Sequence, residues 1–123
     1  MPPKKIILVE SDEFYVEVIE TFIKLFLQQQ IIAVRDAHAA FAEIREGQPG
    51  LVLLDLESDG EASLDLAEKV RDDSKTKRIP ILAISHNSSL RDDALGRGCS
   101  AFLTKPFRVR ELETLITKLL DRA

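Results

Sequence analysis

Apolar residues along this chain recur with two different spacings. Short uninterrupted runs, Ile6–Val9, Ile31–Val34, Leu51–Leu54, Ile79–Ile84 and Ala101–Thr104, have the form of strands covered on both faces. Between them the spacing widens to three and four residues. Phe14, Val18, Phe22, Leu25 and Phe26 predict the inner face of a first helix, with Ser11 or Asp12 as its cap. Asp36 caps a second helix with Ala37, Ala40, Phe41 and Ile44 inside, stopped by Gly47. Ser63 caps a third that buries Leu66, Ala67 and Val70, and a short fourth runs from about Ser89 to Gly96. The last carries Val109, Leu112, Leu115, Ile116 and Leu119 in one stripe. Five strand–helix units of this kind predict a parallel sheet with helices on both faces and right-handed crossovers.

Composition narrows this picture without changing it. A chain of 123 residues is the size of one domain and needs no staples to hold a core. The net charge of −4 gives no basic surface for a nucleic acid, and Lys4-Lys5 and Lys75-Thr76-Lys77-Arg78 read as solvated loop charge. A single cysteine, Cys99, excludes an internal disulfide and suits a reducing cytoplasm; beside Gly98 and Ser100 it reads as a packing residue. The start Met1-Pro-Pro-Lys-Lys has no long apolar stretch, so no signal peptide is expected, and no run is long enough to span a membrane.

The chemistry is concentrated where the apolar runs stop. The run Leu51-Val52-Leu53-Leu54 ends in Asp55, the first run in Glu10, the fourth in Ser85 and the fifth in Lys105. In an open parallel sheet these positions share one rim, where such sheets bind ligands. Singly, each has a plain reading as a turn former or a surface side chain. Together, two carboxylates, a hydroxyl and an ammonium are a parts list for phosphoryl transfer. Asp55 would attack phosphorus, and Glu10 with Asp55 would hold Mg²⁺ through oxygen. Lys105 would place a point charge on the phosphoryl oxygens, and Ser85 would donate a hydrogen bond. His38, off the inner face of its helix, reads as a solvated histidine.

Four segments carry a resemblance: Ile7-Leu8-Val9-Glu10, Leu51-Val52-Leu53-Leu54-Asp55, Ile81-Leu82-Ala83-Ile84-Ser85 and Phe102-Leu103-Thr104-Lys105-Pro106-Phe107. On them the chain resembles the CheY-like receiver domains of two-component response regulators, from Lys5 to the last helix. The resemblance implies a flavodoxin-like, three-layer fold with strand order 2-1-3-4-5 over a single domain, residues 1–123. It implies that Asp55 is the phosphoacceptor, Lys105 and Ser85 its partners, and Phe102 the aromatic that changes rotamer on activation. It further implies a cis peptide before Pro106, and Mg²⁺ held by Glu10, Asp55 and the backbone carbonyl of Glu57. A sensor histidine kinase or phosphotransfer protein would supply the phosphoryl group in the cytoplasm, and a target protein or output domain would read it. Such a domain is a signalling element, not an enzyme with turnover.

The chain departs from that pattern in places. Ser11 stands where a second acid is usual, with Asp12 one residue further on as the candidate to compensate. Ser58-Asp59 replaces a Met-Pro pair, and His86 stands where a small residue is common and could narrow access to Asp55. These changes support an alternative, a pseudo-receiver that binds proteins without phosphorylation. A third reading, an aspartyl-phosphate phosphatase of haloacid dehalogenase type, rests on Asp55-Leu56-Glu57, with Glu57 where that chemistry wants an aspartate.

Overall fold

The computed structural model describes residues 4–57 and 60–122. Strands and helices alternate: β1 (Lys5–Val9), α1 (Glu13–Phe22), β2 (Gln30–Val34), α2 (Ala37–Gly47), β3 (Leu51–Asp55), α3 (Gly60–Asp72), β4 (Ile81–Ser85), α4 (Arg91–Gly96), β5 (Ala101–Thr104) and α5 (Val109–Arg122). All strand pairs are parallel and the order is β2-β1-β3-β4-β5, the flavodoxin-like doubly wound topology expected. The register sets Val9 beside Leu54 and Asp55 beside Ile84, so the carboxyl ends of the central strands are nearly level.

Alternate residues of each strand feed two separate cores. Ile7, Val9, Val52, Leu54, Ile81 and Ala83 pack with side chains of α2, α3 and α4. Ile6, Leu8, Leu51, Leu53, Leu82 and Ile84 pack with α1 and α5. Every residue of β3 and β4 is buried, which is why both read as continuous apolar runs. A fully buried leucine contributes roughly 1.5–3 kcal/mol relative to its exposed state, so the middle of the sheet is its most strongly held part. The edge strand β2 is different. Only Ile31 is buried there and Ile32 is 43 % exposed, although the four residues read as one apolar run.

Several local expectations need correction. Helix α1 buries Val16, Ile19 and Phe22, while Phe14 and Val18 face solvent at 66 % and 42 % exposure. The expected and the buried stripes share Phe22 and are offset by about a quarter-turn, and periodicity does not say which of them meets the sheet. Beyond Phe22 the helix widens into a π-helical turn over Ile23–Leu27, which ends at Gln28 in the left-handed region (φ 54°). The change of pitch breaks the 3.6-residue register that placed Leu25 and Phe26 inside, and both are exposed. On α5 the buried stripe is Leu112, Ile116, Leu119 and Leu120; Val109, at the helix start, is exposed and Leu115 only packs at the edge.

Helix ends also differ. Asp12, not Ser11, caps α1, its carboxylate accepting from the Phe14 N–H at 2.9 Å. Asp36 caps α2 as expected, but the residue that turns the chain after Gly47 is Gln48 (φ 45°). Helix α3 begins at Gly60, so Ser63 lies within it and is no cap; its hydroxyl donates instead to the Asp55 carbonyl at 2.9 Å. Pro80 precedes β4, and a 3₁₀ turn over Ser88–Leu90 leads into α4. The replacement at Ser58-Asp59 lies outside the described residues.

Candidate functional site

Three strand ends converge on one buried charge cluster. The Lys105 ammonium lies 2.9 Å from Asp55 Oδ1 and 3.5 Å from Glu10 Oε1, with each of these side chains 2 % exposed. Asp55 reaches the rim because β3 ends there, and the Ser63 strut ties its carbonyl to α3. Its second oxygen, Oδ2, accepts the Glu57 N–H at 3.1 Å. Glu10 is held by backbone on both sides: its N–H donates to the Val34 carbonyl at 3.0 Å, and Oε2 accepts from the Asp12 N–H at 3.3 Å. Lys105 follows β5; its N–H donates to the Ser85 carbonyl at 2.9 Å, and its peptide bond to Pro106 is cis.

The electrostatics follow from burial. Glu10 is pushed up to about 7, chiefly by loss of water and then by the negative charge of Asp55, with Lys105 opposing. Burial alone would lower Lys105, but its hydrogen bond to Asp55 and the charges of Asp55 and Glu10 outweigh this and hold it above an ordinary lysine. One ammonium therefore serves two carboxylates in a nearly dry place, and the cluster carries an excess of negative charge whenever both are ionised.

Ser85 is fully buried at the end of β4, and its Oγ accepts from the Asn87 N–H at 3.0 Å, which leaves its O–H as a donor. Phe102 is buried in the core shared with α2, α3 and α4, with Ala83 of β4 beside it in register. The Glu57 carboxylate accepts from the His86 N–H, and both side chains are exposed. That engagement ties the loop after β3 to the loop after β4. Asp12 is exposed; its Oδ1 is taken up in capping α1, while its N–H donates to Glu10 of the cluster.

The donors present suit a hard divalent cation. Glu10 and Asp55 bring two carboxylates to one lysine at the rim, and carboxylate oxygens are ligands Mg²⁺ takes. Among the described residues no group of three or more Asp, Glu, His or Cys side chains is arranged to hold a metal.

Two neighbours escaped sequence reasoning. The ring of Tyr15 lies under the Lys105 ammonium, 3.8 Å from its centroid. His38, exposed as expected, lines a cavity of about 70 Å³ with Glu10, Ser11, Asp36, Asp55 and Ser63. Nothing in the spacing of Tyr15 or His38 marks either one, because each is brought to the rim by the rotation of its helix. Elsewhere, burial raises the Cys99 thiol to about 11, in keeping with a packing role.

Comparison with known proteins gives one consistent answer. A family model described as the response regulator receiver domain matches residues 6–117. The polar-differentiation response regulator DivK of Brucella anthropi is 28 % identical over 122 residues, which cover 97 % of this chain and 98 % of that protein. Among solved structures, a putative response regulator from Chloroflexus aurantiacus superposes with a TM-score of 0.89 at 22 % identity, over 97 % of this chain and 98 % of its own. The receiver domain of a sensor histidine kinase from Pseudomonas aeruginosa, with a magnesium ion coordinated in its active-site cleft, gives 0.84 at 24 % identity and the same coverage.

Proposed function

The chain belongs to the response regulator receiver domain family, and from that premise we propose that Asp55 accepts a phosphoryl group and thereby switches a protein-binding surface. The observation that carries this reading is the 2.9 Å contact between Lys105 Nζ and Asp55 Oδ1 on a rim from which water is almost excluded. A carboxylate oxygen of Asp55 forms a bond to phosphorus while the bond from phosphorus to the donor breaks, its electron pair leaving with the donor. Lys105, already against Asp55, neutralises phosphoryl oxygens, and the Ser85 O–H donates to one of them; little covalent work remains for the protein beyond this positioning. Mg²⁺, held by Glu10, Asp55 and the Glu57 carbonyl, would supply further positive charge to the same oxygens.

The relatives are signalling proteins, and the role proposed here is that of an acceptor and not of a turnover enzyme. A histidine kinase or phosphotransfer protein is the donor, a target protein or output domain reads the result, and Phe102 repacks between the two states. All of this takes place in the cytoplasm, with residues 1–123 acting as one receiver unit. Among the described residues no helix is long and apolar enough to cross a membrane. A second reading, a pseudo-receiver, draws on one observation: the Asp12 carboxylate, the nearest candidate to compensate for Ser11, is engaged in capping α1.

Intact-mass measurement after incubation with a small phosphodonor and Mg²⁺ decides between them. The expected result is the gain of one phosphoryl group, lost in Asp55→Asn because an amide is no nucleophile. A gain that persists in Asp55→Asn would move the acceptor elsewhere, and no gain at any Mg²⁺ concentration would establish the pseudo-receiver.

A further inference from the structure

Lys105 has three N–H donors and a nearly dry surrounding. Asp55 takes one side at 2.9 Å and Glu10 a second at 3.5 Å. The face that remains is covered by the ring of Tyr15, at 3.8 Å from the centroid. An ammonium over a ring face is attracted by the ring quadrupole, by about 0.5–2 kcal/mol and most when water is absent. Tyr15 stands on the first turn of α1, just past the Asp12 cap, and packs edge-on against Phe14 with centroids 5.5 Å apart. Its ring is thus carried by the helix that begins at Glu13, three residues after Glu10.

We propose that Tyr15 is a positioning residue of this site, whose aromatic face holds the Lys105 ammonium against Asp55 and keeps it from water. This rests on the reading of Asp55 as phosphoacceptor only where rates are concerned; the placement of Lys105 is testable without it. The requirement is for the ring and not the hydroxyl. Tyr15→Phe keeps the quadrupole, whereas Tyr15→Leu keeps apolar volume without it, so the pair separates positioning from filling space.

Two measurements on the full chain test the inference. In the first, brief acetylation with acetic anhydride is followed by peptide mass mapping of Lys105. Lys105 should be protected in the native protein and in Tyr15→Phe, and labelled about threefold to tenfold faster in Tyr15→Leu, the factor that loss of a cation–π contact of this kind implies. Equal protection in all three would overturn the proposal, as would equal loss in Tyr15→Phe and Tyr15→Leu. The sequence contains one tyrosine and no tryptophan, so intrinsic emission comes from Tyr15 alone. Lys105→Met should change that emission; an unchanged spectrum would also overturn it. In the second measurement, the rate of phosphoryl gain from a small phosphodonor should fall about threefold to tenfold in Tyr15→Leu and recover in Tyr15→Phe. If native protein gains no phosphoryl group, the reading of Asp55 fails and the labelling and emission results still decide the role of Tyr15. If it does gain one, an unaltered rate in Tyr15→Leu refutes the positioning role.

Discussion

Two basic side chains in this molecule gather acids around them, and they do so under opposite conditions. Arg97, just after α4, holds Glu61, Asp65 and Glu68 of α3 at 2.8, 2.7 and 2.6 Å, with those carboxylates half to three-quarters exposed. Lys105 holds only two acids, yet all three groups are 2 % exposed. Around Arg97 every carboxylate keeps water, and the guanidinium, hydrogen-bonded to Glu61 and Glu68, is held above its ordinary value. Around Lys105, loss of water and then the charge of Asp55 push Glu10 up to about 7 against the pull of the ammonium. Counting charges would rank the Arg97 cluster first. Burial reverses the order, because it is the removal of water that makes a charge cluster reactive rather than merely adhesive.

The largest break in that contrast should come from Lys105→Met. It leaves Asp55 and Glu10 facing each other without a cation, and removing one partner of a buried pair costs about 3–5 kcal/mol. Urea denaturation at pH 8 should register a loss of that order. At pH 6 the loss should be smaller, because Glu10 then carries a proton and the repulsion disappears. An equal loss at both values would mean that Glu10 does not sense Asp55.

Next comes the pH dependence of Glu10 itself in the metal-free protein. Its folded value of about 7 lies above the ordinary 4.5, so the folded state binds the proton more tightly than the unfolded one. The stability associated with this group is therefore full below about 4.5 and is lost as pH rises toward 7. Glu10→Gln should remove that slope and exceed the native protein by about 1–3 kcal/mol at pH 8, since a tenfold change in proton affinity is worth about 1.4 kcal/mol. Parallel stability curves for the two proteins between pH 5 and 8 would contradict this.

A smaller effect is expected from adding charge. Ser11 lines the small cavity beside Asp55, and Asp12 is engaged elsewhere. Ser11→Asp should tighten Mg²⁺ binding by about 1–2 kcal/mol, roughly tenfold, after desolvation offsets much of the Coulomb gain. Calorimetric titration reads it directly, and equal affinities would mean that the cavity does not admit the ion. Least of all should follow from Arg97→Ala, whose partners stay solvated; exposed pairs contribute little. Its unfolding midpoint in urea should stay far closer to the native one than that of Lys105→Met does.

The same contrast explains what could be read in advance. Asp55, Glu10, Ser85 and Lys105 were legible because each terminates an apolar run, and a run that stops at a charge marks a sheet rim in one dimension. The parallel sheet and the existence of five helices followed from alternating periods, whereas the strand order came only with the resemblance to receiver domains. Rotation about a helix axis was not legible. Helix α1 has two apolar faces, and only contact with the sheet selects Val16, Ile19 and Ile23 over Phe14 and Val18. Tyr15 was missed for the same reason, since its place under Lys105 depends on that rotation and on a contact spanning ninety residues of chain. Burial of β2 was overstated because an edge strand and a central strand can share one composition. Caps were ambiguous wherever two suitable residues adjoin, as at Ser11-Asp12.

Because Glu10, Asp55 and Lys105 end the first, third and fifth strands, the rim is completed in the order of translation. A nascent chain that has emerged only through β3 presents two carboxylates and no ammonium, with β4 not yet there for β5 to pair with. Domains generally fold as units during synthesis. Until β5 and the residue after it have been made, the chain holds both carboxylates of the rim without the cation that faces them in the folded protein. The charge balance of the rim thus depends on a lysine fifty residues beyond Asp55, and a product cut short between the two would carry Asp55 without its counter-charge.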